Sequence, residues 1–241
     1  MRENQLAAQV VNEVKKAVVG KDGVVVKTLT AILARGHVLL EDIPGVGKTT
    51  MAIAFSKALG LKYSRVQFTP DVMPSDLTGF SLYNKASGQM EYQPGALLCN
   101  LFLADELNRA TSRTQSALLE AMEEGRVTVD GVSRPVPDPF LVIATQNPAG
   151  ASGTQLLPDS QLDRFALRLT MGYPTPADEL ELLQRKMRGA VMESVAQAAD
   201  RAVLAGLRDQ TDRVFVDDAI LDYILRLVRA TRDPPPLAQG A

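Results

Sequence analysis

Hydrophobic spacing changes character several times along the chain, and each change marks an element. Leu6, Val10, Val14 and Val18 recur at four-residue intervals, which predicts an amphipathic helix over residues 3–18 that Val19-Gly20 breaks. Asp22 is placed to cap a second helix, with Val25, Leu29, Ile32 and Leu33 on its buried side. "HVLLE" (37–41) is a short apolar run, "DIPGVG" (42–47) a turn, and "KTTMAIAFSKAL" (48–59) a helix stopped by Gly60. "YSRVQF" (63–68) alternates as a strand does. "CNLFLADE" (99–106) and "FLVIATQN" (140–147) are apolar runs that end in polar residues, and "FALRLTM" (165–171) is a last strand. Between them, "SRTQSALLEAMEEG" (112–125) reads as a helix with a glycine stop, and Asp130-Gly131 joins two short β-branched runs as a hairpin turn.

Apolar runs without polar alternation suit central parallel strands covered by helices on both faces. Helices interleaved with such strands predict an α/β fold. "YPTP" (173–176) marks the end of the strands, and "ADELELLQRKM" (177–187) and "DDAILDYILRLVRAT" (217–231) read as helices. The expected organisation is an α/β domain over residues 1–172 followed by a helical segment over residues 173–241.

Composition narrows the function classes. With 241 residues, 46% hydrophobic and 22% charged, the chain has the balance of a soluble globular protein. Its 26 basic and 28 acidic residues leave a net charge of -2, so no global basic excess points to nucleic acid or to an anionic membrane. Cys99 is the single cysteine, which excludes an intrachain disulfide. The N-terminal stretch is broken by polar residues and lacks a signal-peptide core. No apolar run approaches the ~18 residues of a membrane span. A cytoplasmic protein with no membrane insertion is expected.

Candidate chemistry sits at the ends of the predicted strands. In "LLEDIPGVGKTT" (39–50), a strand, a glycine turn and a helix opening at Lys48-Thr49 form the context of a phosphate loop. Gly45 and Gly47 would let the backbone approach phosphate, Lys48 would reach the outer phosphates, and the Thr49 hydroxyl would ligate Mg²⁺. Asp42 departs from the strict G-x-x-x-x-G-K-[ST] pattern, which wants glycine there, and the competing reading is an exposed turn with a surface lysine. Pro44 fixes the approach of the turn and could hold the Asp42 carboxylate away from the triphosphate. In "LFLADE" (101–106), Asp105 would hold the metal and Glu106 would orient and deprotonate an attacking water. Asn147, at the carboxyl end of another apolar run, could hold that water, although Asn-Pro is also ordinary turn chemistry. Arg164 precedes a strand and is not needed for packing. It is a surface or ion-pair residue, or a finger offered to a neighbouring subunit's nucleotide.

Taken in order, "LLEDIPGVGKT", "QFTPDVMPSDLTG", "PGALLCNLFLADELNRA", "TQSALLEAMEEGRVTVDG", "PFLVIATQNP" and "LPDSQLDRFALRL" resemble the motifs of the MoxR-type AAA+ ATPases, from about residue 4 to 235. The resemblance implies a P-loop NTPase αβα sandwich with a parallel central sheet, followed by an all-α AAA+ lid. It implies ATP and Mg²⁺ as ligands, and ATP hydrolysis driving chaperone-like remodelling, complex assembly or metal-cofactor insertion. A homo-oligomeric, hexameric ring and a partner with a von Willebrand factor A domain also follow from it. By matching motif, the phosphate loop comprises Pro44, Gly45, Val46, Gly47, Lys48, Thr49 and Thr50. Asp105 and Glu106 form the acidic pair, Asn147 the first sensor and Arg164 the trans-acting finger. Val19 and Gly20 lie where relatives contact adenine. Residues 76–95 match an insert within the second core helix, and 126–136 a second insert. The family's lid continues into a Ser-Pro-Arg stretch that occurs nowhere in this sequence. The lid is therefore expected to be incomplete before its second sensor, with weak ATP binding and slow turnover unless that part is supplied.

Rival readings want residues the sequence lacks. A GTPase would carry Asn-Lys-x-Asp, whereas "NKAS" (84–87) lacks the aspartate. A small-molecule kinase has less use for Glu106 or for a finger after the last strand. A nucleic-acid-dependent AAA+ motor would have basic inserts, and Lys85 is the one basic residue of 76–95. A nucleotide-switched adaptor with little turnover would have lost Glu106 or Asn147, and both are present.

Overall fold

The computed structural model describes residues 2–43, 45–147, 157–189 and 191–232. Elements follow the hydrophobic spacing closely through the first half: α1 (Arg2–Ala17), α2 (Asp22–Leu33), β1 (Val38–Glu41), α3 (Lys48–Ala58) and β2 (Tyr63–Gln67). Asp22 is not the cap expected of it. Lys21 holds the N-cap position without a side-chain hydrogen bond, and Asp22 is the first helical residue, where its charge favours the helix dipole. Next come α4 (Pro74–Thr78), β3 (Gly79–Asn84) and β4 (Gln89–Pro94), so the first insert is largely an antiparallel hairpin. β5 (Leu101–Asp105), α5 (Ser112–Glu124), β6 (Arg126–Val129), β7 (Val132–Pro135) and β8 (Leu141–Gln146) follow, with β6 and β7 paired as the predicted hairpin. The Arg134 guanidinium lies 4.0 Å over the Tyr92 ring and ties the two hairpins together. The last elements are α6 (Asp159–Leu162), β9 (Leu167–Leu169), α7 (Pro176–Arg188), α8 (Arg201–Thr211) and α9 (Asp218–Ala230).

Five parallel strands form the central sheet in the order β2-β5-β8-β1-β9. Two apolar clusters divide its residues by face. Val38, Leu40, Leu101, Leu103, Leu141 and Ile143 pack with residues of α1, α2 and α3. Their neighbours in sequence, Leu39, Phe102, Ala104, Val142 and Ala144, pack with Leu118, Leu119 and Met122 of α5. Successive strand side chains point to opposite faces, and here both faces are buried. That is why these runs carry no polar alternation, and it makes the domain an αβα sandwich.

His37, the single histidine, fixes the start of β1. Its Nδ1 accepts the Val142 N–H at 3.0 Å, which leaves Nε2–H to donate to the Met122 carbonyl at 3.2 Å. Burial pushes its pKa below the ordinary imidazole value. The unfolded chain therefore takes up this proton first, and stability falls as pH drops below about 6.5. Urea unfolding should show a lower midpoint at pH 5.5 than at 7.5, and His37→Leu should flatten that dependence. The same substitution should cost about 1–3 kcal/mol for each backbone group it leaves unpaired.

The chain divides into two compact units, residues 1–208 and 209–241. The first contains the sheet and all the site residues discussed below. In it Leu204 and Leu207 are buried, and Arg208 Nε donates to the Ile32 carbonyl at 3.0 Å. The second is organised around α9, capped by Asp217, whose Oδ1 accepts from Ala219 N–H at 2.9 Å. No described helix is long and apolar enough to cross a membrane.

Candidate functional site

β1 ends at Glu41 and α3 starts at Lys48, so the turn between them sits at the carboxyl edge of the sheet. Gly45 and Gly47 have φ of 88° and 97°, in the region where a side chain is strained. Among the described residues, a Cβ built on Gly45 meets nothing within 4 Å, and one on Gly47 meets only Met171 Cε at 3.9 Å. Open space therefore lies before the loop, and the first N–H groups of α3 have no partner within their helix. Pro44 lies outside the described residues. Lys48 is buried, and its Nζ donates to the Asp42 carbonyl at 2.5 Å. Burial pushes the Lys48 pKa down, against the opposing pull of Asp42, Asp105 and Glu106.

The Asp42 carboxylate is turned away from this space. Oδ1 accepts from Ile43 N–H at 2.8 Å and Oδ2 from Gly172 N–H at 2.5 Å, which anchors the entry of the loop to the segment after β9. The departure from the usual glycine is thus a backbone clamp rather than a charge facing phosphate.

Across a cleft of ≈ 340 Å³, Gly45, Gly47, Lys48, Thr49 and Thr50 face Asp105, Glu106 and Asn147. Asp105 ends β5, and its Oδ1 accepts from Thr145 Oγ1 at 2.7 Å. Thr145 Oγ1 in turn accepts the Glu106 N–H at 2.8 Å. Thr49 Oγ1 lies 3.5 Å from Asp105 Oδ2. Glu106 adopts a left-handed backbone conformation, φ 58°, ψ 45°, which turns the chain sharply after the strand. Its carboxylate accepts from Arg109 Nη1 at 2.7 Å and from Asn147 Nδ2 at 3.4 Å. The Arg109 bond, then the Asn147 bond, hold the Glu106 pKa below the ordinary carboxylate value against its burial. Asn108 is buried and clamps the Asn147 backbone, donating to its carbonyl at 3.2 Å and accepting its N–H at 3.4 Å.

A larger cleft of ≈ 770 Å³ shares Gly45, Gly47 and Thr50 with the first. Val18, Val19, Val46, Leu182 and Met192 give it apolar walls. Gly20 does not line it. Arg164 lies apart from both clefts, half-exposed, in an ion pair with Glu123 of α5.

Residues 37–167 match the model of the ATPase family associated with various cellular activities (AAA). YeaC of Bacillus subtilis, itself uncharacterized, is 46% identical over 235 residues, which covers 98% of this chain and 73% of that protein. The chaperone MoxR1 of Mycobacterium tuberculosis is 41% identical over 228 residues, covering 95% and 60%. The chain belongs to the MoxR-type AAA+ ATPases. A solved structure from Cytophaga hutchinsonii, described provisionally as an ATPase, superposes with a TM-score of 0.87 at 37% identity, over 96% of this chain and 70% of that one.

Within this MoxR-type site several residues escaped the reading of the sequence. Thr145 had a signal: it is a hydroxyl in an otherwise apolar strand, where a buried polar group needs partners. Asn108 and Arg109 sit in a quoted motif, but their partners Asn147 and Glu106 are joined to them only by the fold. Arg65 looked like one polar position of an alternating strand.

Proposed function

We propose that this chain binds Mg·ATP between the two clefts and hydrolyses it. The observation that carries the reading is the convergence of Lys48, Thr49, Asp105, Glu106 and Asn147 on one cleft, reached from three strand ends. The donor set suits the ligands: a glycine loop with open space for phosphate oxygens, and two hard oxygen groups, Thr49 and Asp105, for a cation that keeps several waters. Among the described residues no cluster of His, Cys, Asp and Glu offers a dedicated metal cage, which fits a cation held mostly by phosphate. When bound, Mg²⁺ would neutralise charge on the phosphate oxygens. Lys48 adds a second positive charge there, and Glu106 accepts a hydrogen bond from the attacking water. Its lowered pKa suits it to orienting that water before removing the proton. Attack breaks the bond from the γ-phosphorus to the bridging oxygen, releasing ADP and phosphate. Asn147 holds Glu106, and the adenine lies against Val18, Val19 and Val46 in the apolar cleft. Gly20 contributes the turn after α1 rather than a wall.

The cycle drives chaperone-like remodelling or assembly of a partner protein in the cytosol, with metal-cofactor insertion as one form of it. The working unit is a hexameric ring in which Arg164 serves the neighbouring subunit, with a von Willebrand factor A domain protein as partner. Membership of the family and a relative named as a chaperone support that reading. Hairpin β3–β4 carries exposed Phe80, Leu82, Tyr83 and Met90 with Lys85 as its one basic residue, which favours a protein client over nucleic acid.

Binding of a fluorescent ATP analogue tests the site. Lys48→Ala removes a charged partner of phosphate, so affinity should fall about 10- to 100-fold. Equal affinity in both proteins would refute the assignment.

A further inference from the structure

Asp105 has two carboxylate oxygens, and they are not equivalent. Oδ1 is committed to the Thr145 hydroxyl at 2.7 Å, itself fixed by the Glu106 N–H. Oδ2 is left for the cleft, and a cation already sits on it. Arg65, from the neighbouring edge strand β2, donates to Oδ2 from Nη2 at 2.7 Å and from Nε at 3.2 Å. Gln67 steadies the guanidinium by accepting from Nη2 at 2.9 Å. Both Arg65 and Gln67 line the cleft with Thr49. Strand register makes this pairing: Arg65 aligns with Leu103 and Gln67 with Asp105 on parallel β2 and β5. A fixed arginine fork satisfies this oxygen with two donors at once.

We propose that Arg65 is a specificity-setting residue of the metal site. It neutralises the cleft-facing oxygen of Asp105, so that a free divalent cation is refused and the metal enters with the triphosphate. The proposal rests on Asp105 and Thr49 being the protein's metal ligands. A cation arriving alone must displace a guanidinium from Oδ2 and stand beside its like charge, in a cleft that also holds the Lys48 ammonium. A cation arriving on a triphosphate brings its own negative charge and most of its oxygen ligands, which offset the guanidinium and leave Asp105 and Thr49 to complete its coordination. Ordered this way, the site responds to nucleotide rather than to free cellular magnesium.

Mn²⁺ stands in for Mg²⁺ as a hard, oxygen-seeking divalent ion, and its binding to the full chain is read directly by electron paramagnetic resonance. Without nucleotide, Arg65→Gln should bind Mn²⁺ about tenfold or more tightly than the unaltered chain, since a like charge a few ångströms away is removed. Arg65→Lys keeps the charge and should remain close to the unaltered chain. Adding Asp105→Asn to Arg65→Gln should abolish the gain. With a non-hydrolysable ATP analogue present, the difference between Arg65→Gln and the unaltered chain should shrink. No gain in Arg65→Gln, or an equal gain in Arg65→Lys, overturns the proposal. The underlying assignment is tested separately by Asp105→Asn alone: unchanged Mn²⁺ binding in the presence of the analogue would remove Asp105 as a metal ligand.

Discussion

Replacing Glu106 by Gln should leave ATP binding intact and reduce phosphate release by roughly 10²–10⁴-fold, the usual range for loss of a positioned acid–base group. The substitution keeps the shape of the side chain but leaves one acceptor oxygen in place of two, so it can accept from Arg109 or from Asn147, not from both. It removes the negative charge that would polarise water and receive its proton. Backbone geometry should survive, because the Glu106 N–H is bonded to Thr145 whatever the side chain. Nucleotide titration and phosphate release on the same preparation separate the two effects. Unchanged hydrolysis would remove Glu106 from the mechanism. Lost binding would mean that the carboxylate supports the loop rather than the reaction.

Arg164→Ala should reduce turnover by about 10³–10⁵-fold while each chain still binds ATP, if this residue acts as a finger on a neighbour's nucleotide. Within its own chain Arg164 lines neither cleft and pairs with Glu123, so it has no local route to the phosphates. That arrangement makes a specific mixing prediction. Arg164→Ala chains retain a sound cleft, and Lys48→Ala chains retain the arginine. Mixed together, the two inactive proteins should recover part of the turnover, because a competent cleft then meets a competent finger. Mixtures that stay inactive, or an Arg164→Ala chain with full activity, would assign Arg164 to the surface ion pair alone.

What the sequence disclosed, and what it withheld, follow from the range of the interactions. Gly45, Gly47, Lys48 and Thr49 are contiguous, so their joint chemistry can be read locally, as can Asp105-Glu106 at the end of an apolar run. The sandwich was legible because β1, β5 and β8 bury both faces and so lose the polar alternation that an exposed strand keeps. Asp42 was ambiguous because its partner, the Gly172 N–H, lies 130 residues away. The same holds for Arg65, whose role depends on parallel register between β2 and β5, and for Asn108, which reaches Asn147 across the sheet edge. α8 was missed altogether: the few apolar residues of "RAVLAGLRDQT" do not announce a helix until Leu204 and Leu207 are seen buried. Hairpin β3–β4 lacked the Asn-Gly or Asp-Gly turn that marked β6–β7.

Phosphate release under single-turnover conditions, with the protein in excess over Mg·ATP, tests the central claim most directly because it detects even slow hydrolysis. The account predicts that the unaltered chain releases phosphate and that Lys48→Ala, whose ammonium is lost from the cleft, does not. Equal release by both proteins would contradict it.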